Sequence, residues 1–418
     1  MHPDSEDLKQ DSQPISLFPF HSFRYSDFRF LWLVNFFSSA ARNLQQISLG
    51  WLAFDLTGRP VLLASVMLAY QLPFLTVAPL IGVLVDRMDR RKLLLWSQTT
   101  MALIAVGLAV DIGTGFVRPW HLFVFAFLSG VENTIIHIVR QALVPRVVPP
   151  YALLNAISLT GSAFNLTRIF APLIAGFLIV NIGVTGSFTL QAGLLCVVAL
   201  SALSMRVGRE EIETVSGSRL VILGQLAYGF QYIWGSVGLR TIMAVNFLTM
   251  FLGLSIVDLL PAWADDVLRL EADGLSVLYS ATGIGALIGM LILASLSGTI
   301  RRQGRLLIGL AILMAFSLIV FSIVNTLWIA LLTLGVMGAL HTMFFAVTSS
   351  LVQKQVPHGL QGRVMSIYNM GHIFMALGTL TMARISEIAD LPLAVAFMGA
   401  CLLLLSLLMA IMPTIRRS

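Results

Sequence analysis

The sequence predicts an all-α membrane protein of twelve transmembrane helices, arranged as two pseudo-symmetric six-helix bundles. Three observations predict it. The first is composition: 57% of the 418 residues are hydrophobic and 11% are charged. Soluble domains carry about 25% charged residues, so this chain has too few charges to cover a water-facing surface. The second is run length. The apolar residues come in stretches of about 20, the length a helix needs to cross ~30 Å of hydrocarbon, and helices satisfy their own backbone in lipid. The third is the placement of Lys and Arg. With the N-terminus inside, twenty of the 26 basic residues fall on one side and three, Arg59, Arg118 and Arg269, on the other; Arg42, Arg168 and Arg384 lie within spans. Basic residues mark cytoplasmic loops, so both termini are expected in the cytoplasm and the number of spans is even. The net charge of +6 is then a topology signal that calls for no nucleic-acid partner.

The elements follow in order. Residues 1–26 carry Asp4, Glu6, Asp7 and Asp11, with no basic stretch ahead of a long apolar core. They read as a cytoplasmic N-terminal segment and not as a cleaved signal. The first bundle, 27–206, holds spans at 28–56, 61–85, 93–112, 120–144, 152–180 and 185–206. A cytoplasmic linker occupies 207–238, where Leu220, Leu223, Ala227, Phe230 and Trp234 recur at helical spacing and predict a short interfacial helix. The second bundle, 239–412, holds spans at 239–261, 275–297, 305–324, 327–352, 364–388 and 392–412, and residues 413–418 form a cytoplasmic tail. Trp32, Trp51, Trp96, Trp120, Trp263 and Trp328 fall near predicted span ends, where an amphipathic ring is favoured. Cys196 and Cys401 sit in apolar runs and read as thiols packed as small hydrophobes.

The two bundles repeat each other. At an offset of 211, Asn35-Phe36 matches Asn246-Phe247, Ser65-Val66 matches Ser276-Val277 and Arg90-Arg91 matches Arg301-Arg302. At an offset of 208, Leu143-Val144 matches Leu351-Val352 and Val148-Pro149 matches Val356-Pro357. A parallel repeat of this kind is one of the plans of secondary transporters, with the substrate held between the halves near the bilayer midplane.

The strongest motif is Gly82-Val-Leu-Val-Asp86-Arg87-Met-Asp89-Arg90-Arg91-Lys92, between the second and third spans. It resembles the loop signature of the major facilitator superfamily. That resemblance implies a gating latch built from Gly82, Asp86, Arg87, Arg90 and Arg91, with Arg140 as a further partner of Asp86; a basic loop that only sets topology is the competing reading. Gly82 permits close helix packing, and Asp86 is placed to face a helix N-terminus. The second-half copy has Ser297 and Gly298 in place of the Asp-Arg pair, which makes any latch one-sided. The Arg140–Pro145, Leu154-Asn155-Ala156, Tyr228–Ile233 and Gly362–Ser366 segments are similar to the bacterial exporter branch of that superfamily, the transmembrane secretion effectors with the enterobactin exporter among them. The similarity spans roughly residues 20–410 and implies ion-driven export of small molecules, in the inner membrane of a bacterium, without naming a substrate. In the fifth span, Gly161, Pro172 and Gly176 resemble an antiporter helix motif, although Ala171 and Ala175 stand where the motif has glycine.

An ionisable group near mid-bilayer is costly and is a functional candidate for that reason. Arg42 falls mid-way along the first span, Glu132 in the fourth, Arg168 just past the middle of the fifth, and His341 and His372 near the middles of the tenth and eleventh. Asp258, Arg384 and Glu387 sit near outer ends, where water is close. Glu132 is the one carboxylate placed at the midplane. Low dielectric favours its neutral form and a nearby guanidinium its charged form, which suits proton exchange with Arg42 or Arg168 as charge partner. A permanent structural ion pair is the competing reading. Arg42 also favours an anionic substrate. Asn35, Gln45, Gln46, His341, Asn369 and His372 complete the candidate lining of the substrate cavity.

No Walker lysine, HExxH, paired catalytic carboxylates or metal-ligand cluster occurs, so an enzyme is not expected and no cofactor or metal is implied. The expected partners are a small molecule, protons and the lipid bilayer, with the fold complete in one chain and a monomer sufficient. An importer or facilitator, or a non-transporting scaffold or receptor on the same fold, stays open. A transporter needs a polar cavity between the halves, and a scaffold does not.

Overall fold

A computed structural model describes residues 21–77, 89–149, 152–204, 228–296 and 303–411. The chain is all-helical there. After a single 3-10 turn at His21–Arg24 come α1 Ser26–Asp55, α2 Pro60–Thr76, α3 Arg90–Gly113, α4 Pro119–Val147, α5 Leu153–Ile182 and α6 Val184–Ser204. A short helix at 228–235 precedes α7 Val237–Gly253, α8 Ala272–Leu296, α9 Gln303–Ser322 and α10 Leu327–Gln355. Next, α11 starts as His358–Asn369 and resumes as Gly371–Ile388, and α12 is Leu391–Ile411. Among the described residues, eight helices are long and apolar enough to cross a membrane, and the chain is a multi-pass membrane protein. Its outward side chains are apolar, as Leu103, Phe177, Leu200, Leu332 and Leu404 illustrate, while Gln98, Gln191, Asn246 and Thr379 are buried. This inversion of the soluble pattern is what lipid solvent selects.

Local chemistry sets the helix ends. Pro60 and Pro119 open α2 and α4 at the first helical position, where a missing N–H costs nothing. The Ser236 hydroxyl accepts from the Leu239 N–H at 3.4 Å and caps α7. One residue, Gly183, joins α5 to α6 with φ +83°, a left-handed value that glycine adopts freely.

One span departs from expectation. The 239–261 stretch does not run as one helix. It breaks after Gly253 into a 3-10 turn Ser255–Leu259, a short helix Leu260–Ala262 and a wide turn Trp263–Val267. The cause is Pro261. It has no N–H to offer the Val257 carbonyl four residues earlier, where the Leu260 N–H and the Tyr279 hydroxyl, at 3.1 Å, donate instead. The break turns Trp263 inward, fully buried against Phe321 with ring centroids 4.5 Å apart. Trp96, Trp120 and Trp328 keep the exposed positions expected near helix ends. Cys196 is exposed, contrary to its reading as a buried thiol, because it lies on the outer side of α6.

Helix packing positions the site. Within residues 26–204, α1 packs on α5 and α6, α2 on α4, and α3 on α6. Within 237–411, α8 packs on α10, α9 on α10 and α12, and α7 on the second part of α11. The main contacts joining these groups are α5 with α8 and α2 with α11, and α1 and α2 also touch the broken segment Ser255–Ala262. Small residues allow close approach. A Cβ at Gly378 on α11 would overlap the Phe251 carbonyl, and one at Gly176 on α5 would overlap Ser276.

The core has a telling shape. At the face carrying the turns 56–59, 114–118, 183, 268–271, 323–326 and 389–390, here the short-turn face, one cluster takes in both groups, from Leu44, Phe54 and Phe125 to Leu259, Phe321 and Leu334. Toward the opposite face the core divides. One cluster holds Phe28, Leu31, Val139 and Val198, the other Leu239, Leu307, Val352 and Tyr368. Among the described residues, the buried core is therefore continuous across the two helix groups at one end and divided at the other. The short helix 228–235 lies at the divided end, where Phe230 and Trp234 of the expected interfacial helix are exposed. Leu220, Leu223 and Ala227 lie outside the described residues.

Candidate functional site

The intramembrane ionisable residues converge where the core divides. Glu132 on α4 accepts a short hydrogen bond from the Gln98 side-chain amide on α3. Arg42 on α1 stands within electrostatic reach of Glu132, but its Nη1 donates to Asn133 Oδ1 at 2.9 Å and its guanidinium lies 5.2 Å from the Phe164 ring centre. Its Nη2 is buried without a partner. No ion pair joins Glu132 to Arg42 or Arg168 among the described residues. The carboxylate is bound by a neutral amide, and the arginine by a neutral amide and a ring.

Arg168 on α5 makes no hydrogen bond or ion pair among the described residues. It acts electrostatically on His341, His341 is coupled to His372, and His372 is coupled to Arg42. The five residues thus form one electrostatic neighbourhood drawn from α1, α4, α5, α10 and α11. His341 Nε2 is buried without a partner, and its ring meets Phe345 edge-on at 6.3 Å. His372 Nδ1 lies 3.1 Å from the Asn369 carbonyl oxygen, and its ring stacks on Phe74 of α2 at 6.5 Å. A groove of about 940 Å³ on the divided side runs past Phe345, Ser349, Gln353 and Lys354. Its Phe345 is the ring that His341 meets.

The remaining candidates separate. Gln45 turns into the α1–α6 contact, where Gln191 Nε2 donates to its Oε1 at 2.7 Å, so it packs within the first helix group and does not line the space between groups. Gln46, one residue on, stands close to the Asp258 carboxyl. Asn35 is buried with neither amide atom bonded, and its repeat partner Asn246 shares that state. Pro172 and Gly176 lie on α5, with Gly176 buried against α8, while nothing approaches Gly161. Of the latch residues, Gly82, Asp86 and Arg87 lie outside the described residues. Arg90, Arg91 and Arg140 are placed only as helical backbone.

Asp258 is the residue the sequence reading misplaced. It is not at a wet outer end but 4% exposed, because the Pro261 break carries it inward. Thr379 on α11 lies 3.3 Å from its Oδ2. The local signal was present, a carboxylate three residues before a proline inside an apolar run. Arg384 and Glu387 do sit in the open. Glu387 bridges Arg59 at 2.8 Å and Arg384 at 3.1 Å across the short-turn face.

Comparison with known proteins adds the context. The model of the family described as transmembrane secretion effector matches residues 17–417. The multidrug efflux pump Tap of Mycolicibacterium fortuitum is 24% identical over 388 residues, covering 91% of this chain and 94% of Tap. The enterobactin exporter EntS of Escherichia coli O1:K1 / APEC is 25% identical over 294 residues, covering 70% of this chain and 68% of EntS. The crystal structure of a mutant of the nucleoside transporter NupG superimposes with a TM-score of 0.75 at 13% identity, covering 92% of this chain and 99% of that one.

Proposed function

The chain belongs to the transmembrane secretion effector family, and on that premise we propose that it exports small acidic molecules by proton-driven alternating access. It is a major facilitator transporter and not an enzyme, and it moves small molecules outward as a secondary transporter. In our reading, α1–α12 are twelve spans in two six-helix bundles, 27–206 and 239–412. Both termini are cytoplasmic, the membrane is the bacterial inner membrane and one chain suffices. The short-turn face is then external. The fused core at that face and the divided core at the other support a molecule closed outward and parted inward.

The observation that carries the substrate class is a charge imbalance. Two guanidiniums, Arg42 and Arg168, stand with one carboxylate, Glu132, and two buried nitrogens, Arg42 Nη2 and His341 Nε2, have no partner among the described residues. Buried donors without acceptors are costly. An acidic substrate entering from the divided side supplies the missing acceptors, and charge-assisted bonds to guanidinium are the strong ones. Glu132 exchanges the driving proton. Gln98 holds its carboxyl in place, and Arg42, free of direct contact with it, is able to turn toward substrate or carboxylate as the site loads. Around this site, Gly82, Asp86, Arg87, Arg90, Arg91 and Arg140 form the cytoplasmic latch. Gly161, Pro172 and Gly176 form the bend and contact of α5.

Accumulation in an efflux-deficient bacterial host tests this. Wild type, Glu132→Gln, Arg168→Gln and empty vector meet a panel of anionic siderophores, acidic antibiotics and cationic dyes. Wild type is expected to lower accumulation of acidic compounds, and both variants to return it to the vector level. Exclusion of cationic dyes alone overturns the acidic reading, and raised accumulation makes the protein an importer.

A further inference from the structure

Asp258 belongs to none of the machinery above. It sits on the 3-10 turn Ser255–Leu259, at the fused end of the core. Gln46 faces it from α1 and Thr379 from α11, while Tyr70 of α2 and Tyr279 of α8 lie within electrostatic reach. No cationic side chain stands within ion-pair distance of it among the described residues. A carboxylate sealed in this way without a counter-charge is expensive.

The hydrogen-bond count gives a specific answer. The Thr379 hydroxyl has three oxygens in range: Met375 carbonyl at 3.0 Å, Ser255 carbonyl at 3.1 Å and Asp258 Oδ2 at 3.3 Å. A hydroxyl has one proton to donate and lone pairs to accept with. When its proton goes to a carbonyl, its lone pair faces Asp258, and two oxygens without hydrogen between them repel. The hydroxyl gives its one proton to a charged Asp258 carboxylate or, when the Asp258 carboxyl carries a proton and donates it to Thr379 Oγ1, keeps it for a carbonyl, so the pair accommodates both protonation states, with Gln46 close by on α1. We propose that Asp258 is a second proton-binding site, loaded when the short-turn face is closed and emptied when that face opens. Opening carries Gln46 away with the first helix group and admits water. The carboxyl O–H bond then breaks, the proton passes to water and the carboxylate remains hydrated. A proton taken up on the short-turn side is thereby a condition for shutting that face.

The inference rests on the alternating-access reading, and its test reads the face directly, so its failure leaves export through Glu132 standing. Spin labels at Leu56→Cys and Ile388→Cys, in full-length protein with Cys196 and Cys401 replaced by alanine, report the distance across the short-turn face in lipid nanodiscs. The wild-type distance is expected to lengthen as pH rises. Asp258→Asn, a mimic of the protonated form, is expected to stay short at every pH, and Glu132→Gln to keep the transition. An Asp258→Asn protein that opens with pH as wild type does overturns the proposal. A distance that follows sodium at fixed pH also overturns it, in favour of a metal cation. Infrared difference spectra carry the test should the asparagine variant not fold. Raising the pH removes a protonated-carboxyl band in wild type, and Asp258→Glu shifts that band. An unshifted band overturns the assignment.

Discussion

Glu132 and Asp258 are both carboxylates inside the apolar thickness of the molecule, and they are held in opposite ways. Glu132 lies on an unbroken helix, where the core divides, bonded by Gln98 and with Arg42 in electrostatic reach. Asp258 lies on a broken helix, at the fused end, between a hydroxyl and an amide and without a cation. The first is placed to meet substrate. The second is placed to sense whether the two helix groups touch. The surroundings, more than the residue type, assign the role: an accessible carboxyl beside a guanidinium exchanges partners, and a sealed one joins two bodies.

Substitutions sharpen this contrast, and the largest effect belongs to Glu132→Gln. It should abolish export while leaving the pH-driven distance change at the short-turn face. Loss of both would mean that the two carboxyls form one unit. Gln98→Leu should be next, lowering export severalfold because Glu132 loses the donor that Gln98 supplies. The control is Gln191→Leu, which breaks a pair internal to the first helix group and should lower stability while sparing transport of the folded protein. Tyr279→Phe should come third. It removes one of two donors to the Val257 carbonyl, which keeps the Leu260 N–H, and should cost about 0.5–1.5 kcal/mol, read as a lower unfolding temperature in detergent. Tyr368→Phe should cost no more, since the Phe345 carbonyl lies within an intact helix and keeps its backbone donor. Arg59→Ala should do least. Its contact with Glu387 is exposed, and such pairs are screened by salt, so the variant should match wild type in high salt.

Much of this was legible in the sequence. The apolar runs gave span positions that agree closely with helices such as α1, α10 and α12, and the motifs gave the family that the full-length match then showed. What stayed hidden was direction around each helix axis. Lipid is as apolar as leucine, so a span surrounded by it needs no polar face to tell inside from outside. Gln45 and Gln46 are neighbours in sequence at the same depth. A helix turns about 100° per residue, which sent one into the first group's packing and the other to Asp258. Depth itself failed where the helix was not a helix. Counting along 239–261 at a constant rise put Asp258 near water and Trp263 at the interface, and the Pro261 break moved both inward.

The single-residue link at Gly183 has a mechanical consequence. A joint with no slack cannot let α5 slide along α6, so displacement of α5 at its contact with α8 must be handed on to α6 and, through the shared packing, to α1. Force applied where the helix groups meet therefore reaches Arg42 and Gln46 as motion of a stiff lever, without any element having to unfold or lengthen.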